Sequence, residues 1–311
     1  MTAIDVRRPA ATPGVPARGR RRRSLTGWAF AAPFTVVFLV FLALPVLASL
    51  LMSLTDLRAT DLRHPLAVNF VGLDNYARLF SDELFVRSAV NTLVFVAVGV
   101  PLTMAAALAA ATALNSGLIR FRALFRVGFY LPVVTSIVAI AVVWRFLLDP
   151  EAGLVDNLLR LIGLPGPHWL EDTRTALPSL IVMATWRNFG FLMVVFLAGL
   201  QGIPLDLYEA ARLDGAGRWQ QFRRITVPML RPTLLFGAVI TGIGFLQLFE
   251  EPFVMTRGGP LNSTLSVSYH IYNQFGFGNY GYAAAASYVL FLAIVALSVV
   301  QFRLLGDRGG R

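Results

Sequence analysis

Long apolar segments alternate with polar ones along this 311-residue chain. A membrane-spanning helix needs about 20 mostly apolar residues, and the segments approach or exceed that length. Pro132 and three other prolines lie inside them and are expected to mark kinks. The pattern predicts six transmembrane helices, at about 28–54, 88–114, 127–144, 176–200, 233–249 and 282–302.

The composition places the chain outside the soluble class. Apolar residues make up 56% and charged residues only 14%, whereas charged residues approach about a quarter of a soluble domain. There is no cysteine, which excludes disulfides and thiolate chemistry. The three histidines, His64, His168 and His270, are far apart and fall in predicted loops, so no metal site is assigned. We therefore expect an all-α, polytopic membrane protein.

The distribution of charge predicts the orientation. All 27 basic residues are arginines. The N-terminal tail, the loops 115–126 and 201–231 and the stretch from Arg303 hold 18 of them. The other three loops hold seven arginines but 12 of the 17 acidic residues. Because positive charge is retained on the cytoplasmic side, both termini and the 201–231 loop are predicted to be cytoplasmic.

The N-terminal tail, 1–27, is rich in arginine, proline and alanine and ends near Arg20–Arg23. We expect a disordered cytoplasmic tail whose arginines anchor the topology and contact membrane lipid, with no nucleic acid partner. A cleaved signal peptide is not expected, because the apolar run that follows is much longer than an h-region of about 7–15 residues. Residues 304–311 are expected to form a second cytoplasmic tail.

The 201–231 loop is longer than a simple connection between two helices requires. Pro204 suits the first turn of a helix, and Gly215 lies where a helix would end in a left-handed residue. Trp219, Phe222 and Ile225 recur at every third position, which predicts a second short amphipathic helix. The loop is therefore predicted to be a helix-turn-helix unit that docks on another protein.

This loop resembles the cytoplasmic coupling loop of ABC importer permeases. That family's pattern is Glu-Ala-Ala, three residues, Gly, nine residues, Ile, one residue, Leu-Pro. Val227 replaces the usual leucine, a change of similar volume. The resemblance implies a type I importer permease whose coupling residues here are Glu209, Ala210, Ala211, Asp214, Gly215, Ile225 and Pro228.

Four further segments resemble the carbohydrate-uptake branch of that family. They are 69–76, 147–154, 196–201 and 256–260, so the resemblance covers most of the chain from Trp28 to Phe302. It implies transport of a sugar or sugar-like solute across a bacterial inner or plasma membrane. The implied partners are a second, different permease chain, two ABC ATPase subunits and an extracytoplasmic solute-binding protein.

No cofactor is expected on this chain. A P-loop requires a lysine that reaches the phosphates, and the chain contains none. ATP and Mg²⁺ would therefore be used by a partner ATPase, and the chain itself is predicted not to be an enzyme. The stretch Gly276–Gly281 matches a dinucleotide fingerprint, but it lies in a predicted outer loop rather than a βαβ unit.

Polar residues inside the predicted spans are candidates for the translocation path, because they usually face the bundle interior or a water-filled path. Arg187 lies about eleven positions into the fourth span, close to the middle of the membrane. Pairing of Arg187 with an acid such as Glu250 is the alternative interpretation. The candidates are Trp186, Arg187, Asn188, Gln247, Glu250 and Asn91.

Two other classes remain open at this point. An ion-gradient-driven secondary transporter would share the apolar spans, but it predicts internal repeats and paired broken helices. A membrane sensor or scaffold would keep the docking loop and move no solute. The secondary transporter leaves the coupling-loop pattern unexplained, whereas the sensor or scaffold differs from an importer by the absence of solute flux.

Overall fold

The computed structural model describes residue 28 and residues 30–63, 68–116 and 120–305. The predicted tail 1–27, His64 and residues 306–311 lie outside these ranges. In the described part the chain is helical, and β pairing is limited to an isolated bridge between Thr55 and Phe70. The expected all-α class is confirmed.

The helices are labelled here in chain order. The first unit of the chain ends at Leu51 and the second begins at Met52. The helices are α1 Phe30–Ser53, α2 Asp74–Ser81, α3 Glu83–Asn115, α4 Arg122–Val134, α5 Ile137–Leu147, α6 Leu154–Leu161, α7 Ala176–Gln201, α8 Leu205–Leu213, α9 Arg218–Met229, α10 Arg231–Leu246, α11 Glu250–Met255, α12 Val267–Gly276 and α13 Tyr280–Leu305.

Four of these helices, α1, α3, α7 and α13, are long and apolar enough to cross a membrane alone. The bent pairs α4–α5 and α9–α10 bring the number of spans in the described part to as many as six.

The predicted bounds need correction at several ends. Helix α3 begins at Glu83 rather than at residue 88, because Asp82 caps it by accepting hydrogen bonds from the backbone N–H groups of Leu84 and Phe85. Helix α13 runs to Leu305, into the predicted tail.

The predicted third span, 127–144, is not one continuous helix. Helices α4 and α5 meet at a bend of 101°. Pro132 lies in the last turn of α4, and Thr135 adopts an extended conformation that ends the helix. The Thr135 hydroxyl donates to the Leu131 carbonyl at 2.9 Å, so the side chain takes over the role of the missing backbone donor. A proline and a side-chain cap therefore break this span.

A second bend, of 68°, separates α9 from α10. Pro232 has no N–H to donate to the Pro228 carbonyl four residues earlier, and its ring crowds that carbonyl. The predicted fifth span, 233–249, accordingly begins two residues earlier, at Arg231, and ends at Leu246. The short helix α11 follows after a break.

Helix α7 is central in the second unit. It packs extensively on α3, and it also contacts α4 and α10. Gly190 lets α4 approach closely, since an added Cβ would lie only 1.8 Å from the Phe129 carbonyl oxygen. Small residues at such crossings allow membrane helices to pack backbone to backbone.

The segments predicted as outer loops contain helices of their own. Helices α2, α6, α11 and α12 all lie there, and the stretch Gly276–Gly281 covers the end of α12, the short turn 277–279 and the start of α13. His270 was predicted to lie in a loop, but it is buried within α12. The loops are therefore folded elements that pack on the ends of the spans.

Candidate functional site

The loop between α7 and α10 folds into two helices, α8 and α9, as its pattern predicted. Helix α8 begins at Leu205, with Pro204 at the N-cap rather than inside the first turn. Asp206 lies in that first turn, where a carboxylate is favoured by the helix dipole. Helix α9 contains a π-helical turn at Phe222–Thr226. It runs from Arg218 to Met229, beyond the short helix predicted from Trp219, Phe222 and Ile225.

Gly215 ends α8 in the left-handed conformation that was predicted for it, with φ of +76°. The Gly215 N–H donates to the Arg212 carbonyl at 3.1 Å. The Ala216 N–H donates to the Ala211 carbonyl at 2.8 Å. These two bonds form a Schellman motif, which satisfies carbonyls left free at the helix end and fixes the turn into α9.

The outward side of this loop is exposed and partly apolar. Glu209, Ala210 and Asp214 are exposed, and Ala211 is half-buried. Leu213 is 90% exposed and Trp219 is 71% exposed. Among the described residues, contacts within 4 Å between a basic and an acidic side chain involve His168 with Glu171 and His270 with Asp82, and Glu209 takes part in neither. An exposed apolar patch beside a free carboxylate is typical of a protein-docking surface.

The inward side of the loop is anchored in the core. The hydroxyls of Tyr208 and Thr226 are hydrogen-bonded at 2.9 Å, which ties α8 to α9. Tyr208 and Ile225 pack against a buried apolar cluster that includes Leu200 and Leu230. Sequence reasoning missed the Tyr208–Thr226 bond, although two polar residues in an otherwise apolar inward stripe could have indicated it. Helices α8 and α9 are therefore tied to each other and to the core.

The three candidate path residues in α7 do not share one face. Consecutive positions on a helix point about 100° apart. Trp186 contacts the ring of Trp144 at 5.7 Å between centroids. Asn188 donates to the Ala184 carbonyl of its own helix at 2.8 Å. The Arg187 Nε is buried without a hydrogen-bond partner in the described part of the chain.

Arg187 acts electrostatically on the carboxyl of Glu251, and among the described residues no ion pair within 4 Å joins Arg187 to Glu250. Glu251 lies in α11, beyond the end of α10, and is buried. Burial raises the pKa of Glu251 to about 6, and the positive charge of Arg187 opposes that shift. The two side chains attract each other without forming an ion pair within 4 Å. Glu250 and Gln247 are exposed at the same break between helices.

Asn91 holds the loop between α11 and α12 against α3. Its side-chain amide donates to the carbonyls of Asn262 and Leu265, at 2.9 and 3.0 Å. The neighbouring Thr92 hydroxyl accepts from the Val267 N–H at 3.0 Å. These contacts give Asn91 a structural role, whether or not it also lines the path.

Sequence reasoning also missed two groups at the ends of the spans. Four rings, Phe249, Phe253, Tyr269 and Tyr272, all contact one another, with centroids 5.1–6.4 Å apart.

A second group joins three distant segments through polar side chains. The Tyr282 hydroxyl donates to Asp82 at 2.6 Å, and His270 lies 3.9 Å from the same carboxylate. Burial lowers the pKa of His270, which is opposed by the nearby Asp82 carboxylate.

The described residues contain no group of three or more histidine, cysteine or acidic side chains that could hold a metal ion. Gly276–Gly281 joins two helices, so the βαβ context that a dinucleotide fingerprint needs is not present there.

Several apolar spans, two broken spans and an exposed helical loop define a polytopic membrane transport subunit. The chain belongs to the family described as binding-protein-dependent transport system inner membrane component, whose profile matches residues 23–304. It is therefore the permease subunit of an ABC importer, a multi-pass inner-membrane component, and not an enzyme.

Relatives of known assignment cover nearly the whole chain. The lactose transport system permease protein LacF of Rhizobium radiobacter is 39% identical over 91% of this chain and 95% of its own length. The trehalose/maltose transport system permease protein MalF of Thermococcus litoralis is 32% identical over 91% of this chain and 94% of its own length.

Solved structures confirm the type I importer fold. One is the crystal structure of a bacterial alginate ABC transporter in complex with an alginate pentasaccharide-bound periplasmic protein. A chain of it is 26% identical to this one and superposes with a TM-score of 0.76, covering 94% of this chain and 99% of that chain.

Proposed function

We propose that this permease forms part of the translocation path for a sugar or sugar-like solute. The support comes from relatives that match nearly end to end and are named for lactose and for trehalose and maltose. A transporter structure of similar fold, with an alginate pentasaccharide on its periplasmic protein, points to the same solute class.

The proposed assembly contains this chain, a second permease, two ABC ATPase subunits and an extracytoplasmic solute-binding protein. The ATPases would bind ATP and Mg²⁺, because this chain contains no lysine with which to build a P-loop. Both termini and the α8–α9 loop are proposed to lie in the cytoplasm, in agreement with the excess of arginine on that side.

The observation that carries the coupling proposal is the two-sided character of the α8–α9 loop. Its outward side offers Glu209, Ala210, Leu213 and Gly215 for docking into an ATPase cleft, while its inward side is fixed to the core. Movement of the ATPase would then displace the loop as a rigid body. Coupling requires that each nucleotide state stabilise one transporter conformation more than the other.

Within the membrane, the path candidates remain Trp186, Arg187 and Asn188, together with Gln247, Glu250 and Asn91. The proposal for Arg187 rests on its buried and unpartnered Nε. Uncompensated polar groups inside a membrane are costly and usually face the bundle interior or water.

The first test is to purify this chain from native membranes and identify its companions by mass spectrometry. A second permease and a P-loop ATPase at stable stoichiometry are expected, with Glu209→Gln reducing the bound ATPase. Glu151→Gln, the same change in the loop proposed to lie outside, is the matched control and should leave the ATPase bound.

The second test is uptake by proteoliposomes that contain the complete assembly and its binding protein. Lactose, maltose and trehalose are offered, with leucine as the unrelated solute. ATP-dependent accumulation of a sugar is expected. Accumulation driven by a proton or sodium gradient without ATP would instead make the chain a secondary carrier.

A further inference from the structure

A cavity of about 370 Å³ lies away from the candidate path residues in α7. It is formed where the end of α5, the segment before α7 and the end of α11 meet. These segments belong to the side proposed to face outward. The residues that matter for its chemistry are Arg145, Phe146, Asp149, Leu170, Glu171 and Thr256.

Asp149 is held in a fixed orientation at the cavity wall. One carboxylate oxygen, Oδ1, accepts hydrogen bonds from the backbone N–H groups of Glu151 and Ala152, at 3.0 and 2.9 Å. These bonds lower the pKa of Asp149 below its usual value, so the carboxylate is ionised. The second oxygen, Oδ2, has no hydrogen bond to another described residue and can accept one from a ligand.

Arg145 also lines the cavity, four positions before Asp149 in the chain. Its Nη1 donates to the Val254 carbonyl at 3.4 Å, which leaves the other guanidinium N–H groups available. Neither cavity carboxylate lies within 4 Å of the Arg145 guanidinium, because the contacts of that kind among the described residues are His168–Glu171 and His270–Asp82. One cation and two carboxylates thus line the same space without an ion pair between Arg145 and either carboxylate, while Glu171 lies 3.3 Å from His168.

The charges at this cavity are mixed, with one guanidinium and two carboxylates. A bound anion would be repelled by Asp149 and Glu171, and Arg145 offsets part of their attraction for a cation. A neutral polyol suits the site, because each hydroxyl can donate to a carboxylate and accept from a guanidinium. Phe146 and Leu170 supply apolar surface for the C–H face of a ring. The volume falls within the range of about 300–1,000 Å³ found for ligand pockets.

We propose that this cavity is an outer binding site for one sugar ring of the transported solute, held by Asp149 and Arg145. The proposal rests on the sugar function proposed above. It assigns a site separate from Trp186–Asn188, at which the solute can be held before it enters the membrane path.

The absence of cysteine from the chain allows a site-specific test. Val142 lines the cavity, whereas Leu154 is exposed and does not. Val142→Cys and Leu154→Cys are each placed in the complete, ATP-free complex in lipid nanodiscs, without the binding protein. The sugar used is whichever of lactose, maltose and trehalose the wild-type assembly accumulates. A membrane-impermeant maleimide is added with and without this sugar. Labelling is measured on this chain after separation of the subunits.

The sugar should slow labelling at Val142→Cys in a saturable way and leave labelling at Leu154→Cys unchanged. Adding Asp149→Asn, which can still cap the turn, should raise the half-protecting sugar concentration about tenfold, the effect of weakening one hydrogen bond to a charged group. Arg145→Gln should act in the same direction. Glu151→Gln, the neighbouring carboxylate outside the cavity, should have no effect.

Two results would overturn the proposal while leaving the transport function intact. One is unchanged labelling at Val142→Cys at sugar concentrations that saturate uptake. The other is equal protection at both cysteines, which would indicate a global conformational change. If the assembly accumulates leucine and none of the three sugars, the sugar class itself fails, and the proposed site fails with it.

Discussion

Replacing Gly215 by valine is expected to uncouple ATP hydrolysis from transport. Gly215 ends α8 at φ of +76° and carries the N–H that closes the Schellman motif. A Cβ added there would meet nothing within 4 Å in the chain. The cost of the substitution within this chain is therefore one of backbone conformation, and it falls on the turn that sets the angle between α8 and α9.

The magnitude follows from that conformation. The left-handed conformation costs a residue with a Cβ about 1–2 kcal/mol, and the cost for a β-branched residue lies at the upper end of this range. Because 1.4 kcal/mol is a factor of about ten, the docking-competent turn should become about ten- to thirtyfold less populated. Asparagine tolerates the left-handed conformation, so Gly215→Asn should reduce the population of the docking-competent turn much less and is the matched variant.

The assay is sugar uptake and ATPase activity of the reconstituted assembly, compared at equal membrane abundance of the permease. We expect Gly215→Val to lower uptake about tenfold or more, with Gly215→Asn close to wild type. Gly217→Ala serves as a second control, since Gly217 has an ordinary negative φ and open space around it.

Uptake by Gly215→Val at the wild-type rate would refute the assignment of this turn to coupling. Equal losses in Gly215→Val and Gly215→Asn would refute the conformational explanation and point to contact between the partner and any side chain at this position.

Two further predictions concern stability in detergent, measured as the melting temperature of the purified assembly. Burial raises the pKa of Glu251 from 4.5 to about 6. The folded assembly therefore keeps its full stability below pH 4.5, where Glu251 is protonated in both the folded and the unfolded chain, and loses stability as the pH rises through 6. Glu251→Gln should thus stabilise by about 2 kcal/mol at pH 8 and change little at pH 4; an equal effect at both would contradict this. Gly190→Ala should destabilise by about 1–3 kcal/mol or more, because the new Cβ meets the Phe129 backbone. The exposed Gly128→Ala, with no atom within 4 Å, should be neutral or stabilise by up to about 1 kcal/mol, because alanine favours a helix more than glycine does, and equal melting temperatures for the two would exclude the clash.

The α8–α9 loop was predictable because its determinants are local. Gly215 needs a positive φ, and Pro204, Pro228 and Pro232 mark helix boundaries through their own ring geometry. The main spans were predictable for a different reason, since an apolar run of sufficient length satisfies its backbone only as a helix in a bilayer.

The break in the third span was not predictable to that degree. The run 127–144 contains no charge, so its hydropathy gives no sign of a 101° bend. The bend depends on whether Thr135 uses its hydroxyl to satisfy the Leu131 carbonyl, and most threonines in helices make a similar bond without ending the helix. Prolines in membrane helices are also often accommodated, as Pro101 is within α3.

Contacts between distant segments could not be predicted from the sequence. Asn91 bonds to carbonyls more than 170 positions away, and Asp82 accepts from Tyr282 200 positions later. Single polar residues at span ends have many potential partners, and no periodicity selects among them. The cavity between Arg145 and Asp149 likewise depends on how α5 and α11 approach each other.

The packing around α7 indicates how a displacement of the loop would reach the membrane path. At Gly199 an added Cβ would lie 2.8 Å from the Leu230 side chain and 2.9 Å from the Thr233 hydroxyl, at the bend where α9 becomes α10. At Gly237, on α10, it would lie 2.9 Å from the ring of Phe196. Surfaces packed this closely have no free volume in which to absorb a shift. We therefore expect a rigid movement of α8 and α9 to displace α10 and α7 together, and α7 carries the proposed path residues Trp186, Arg187 and Asn188.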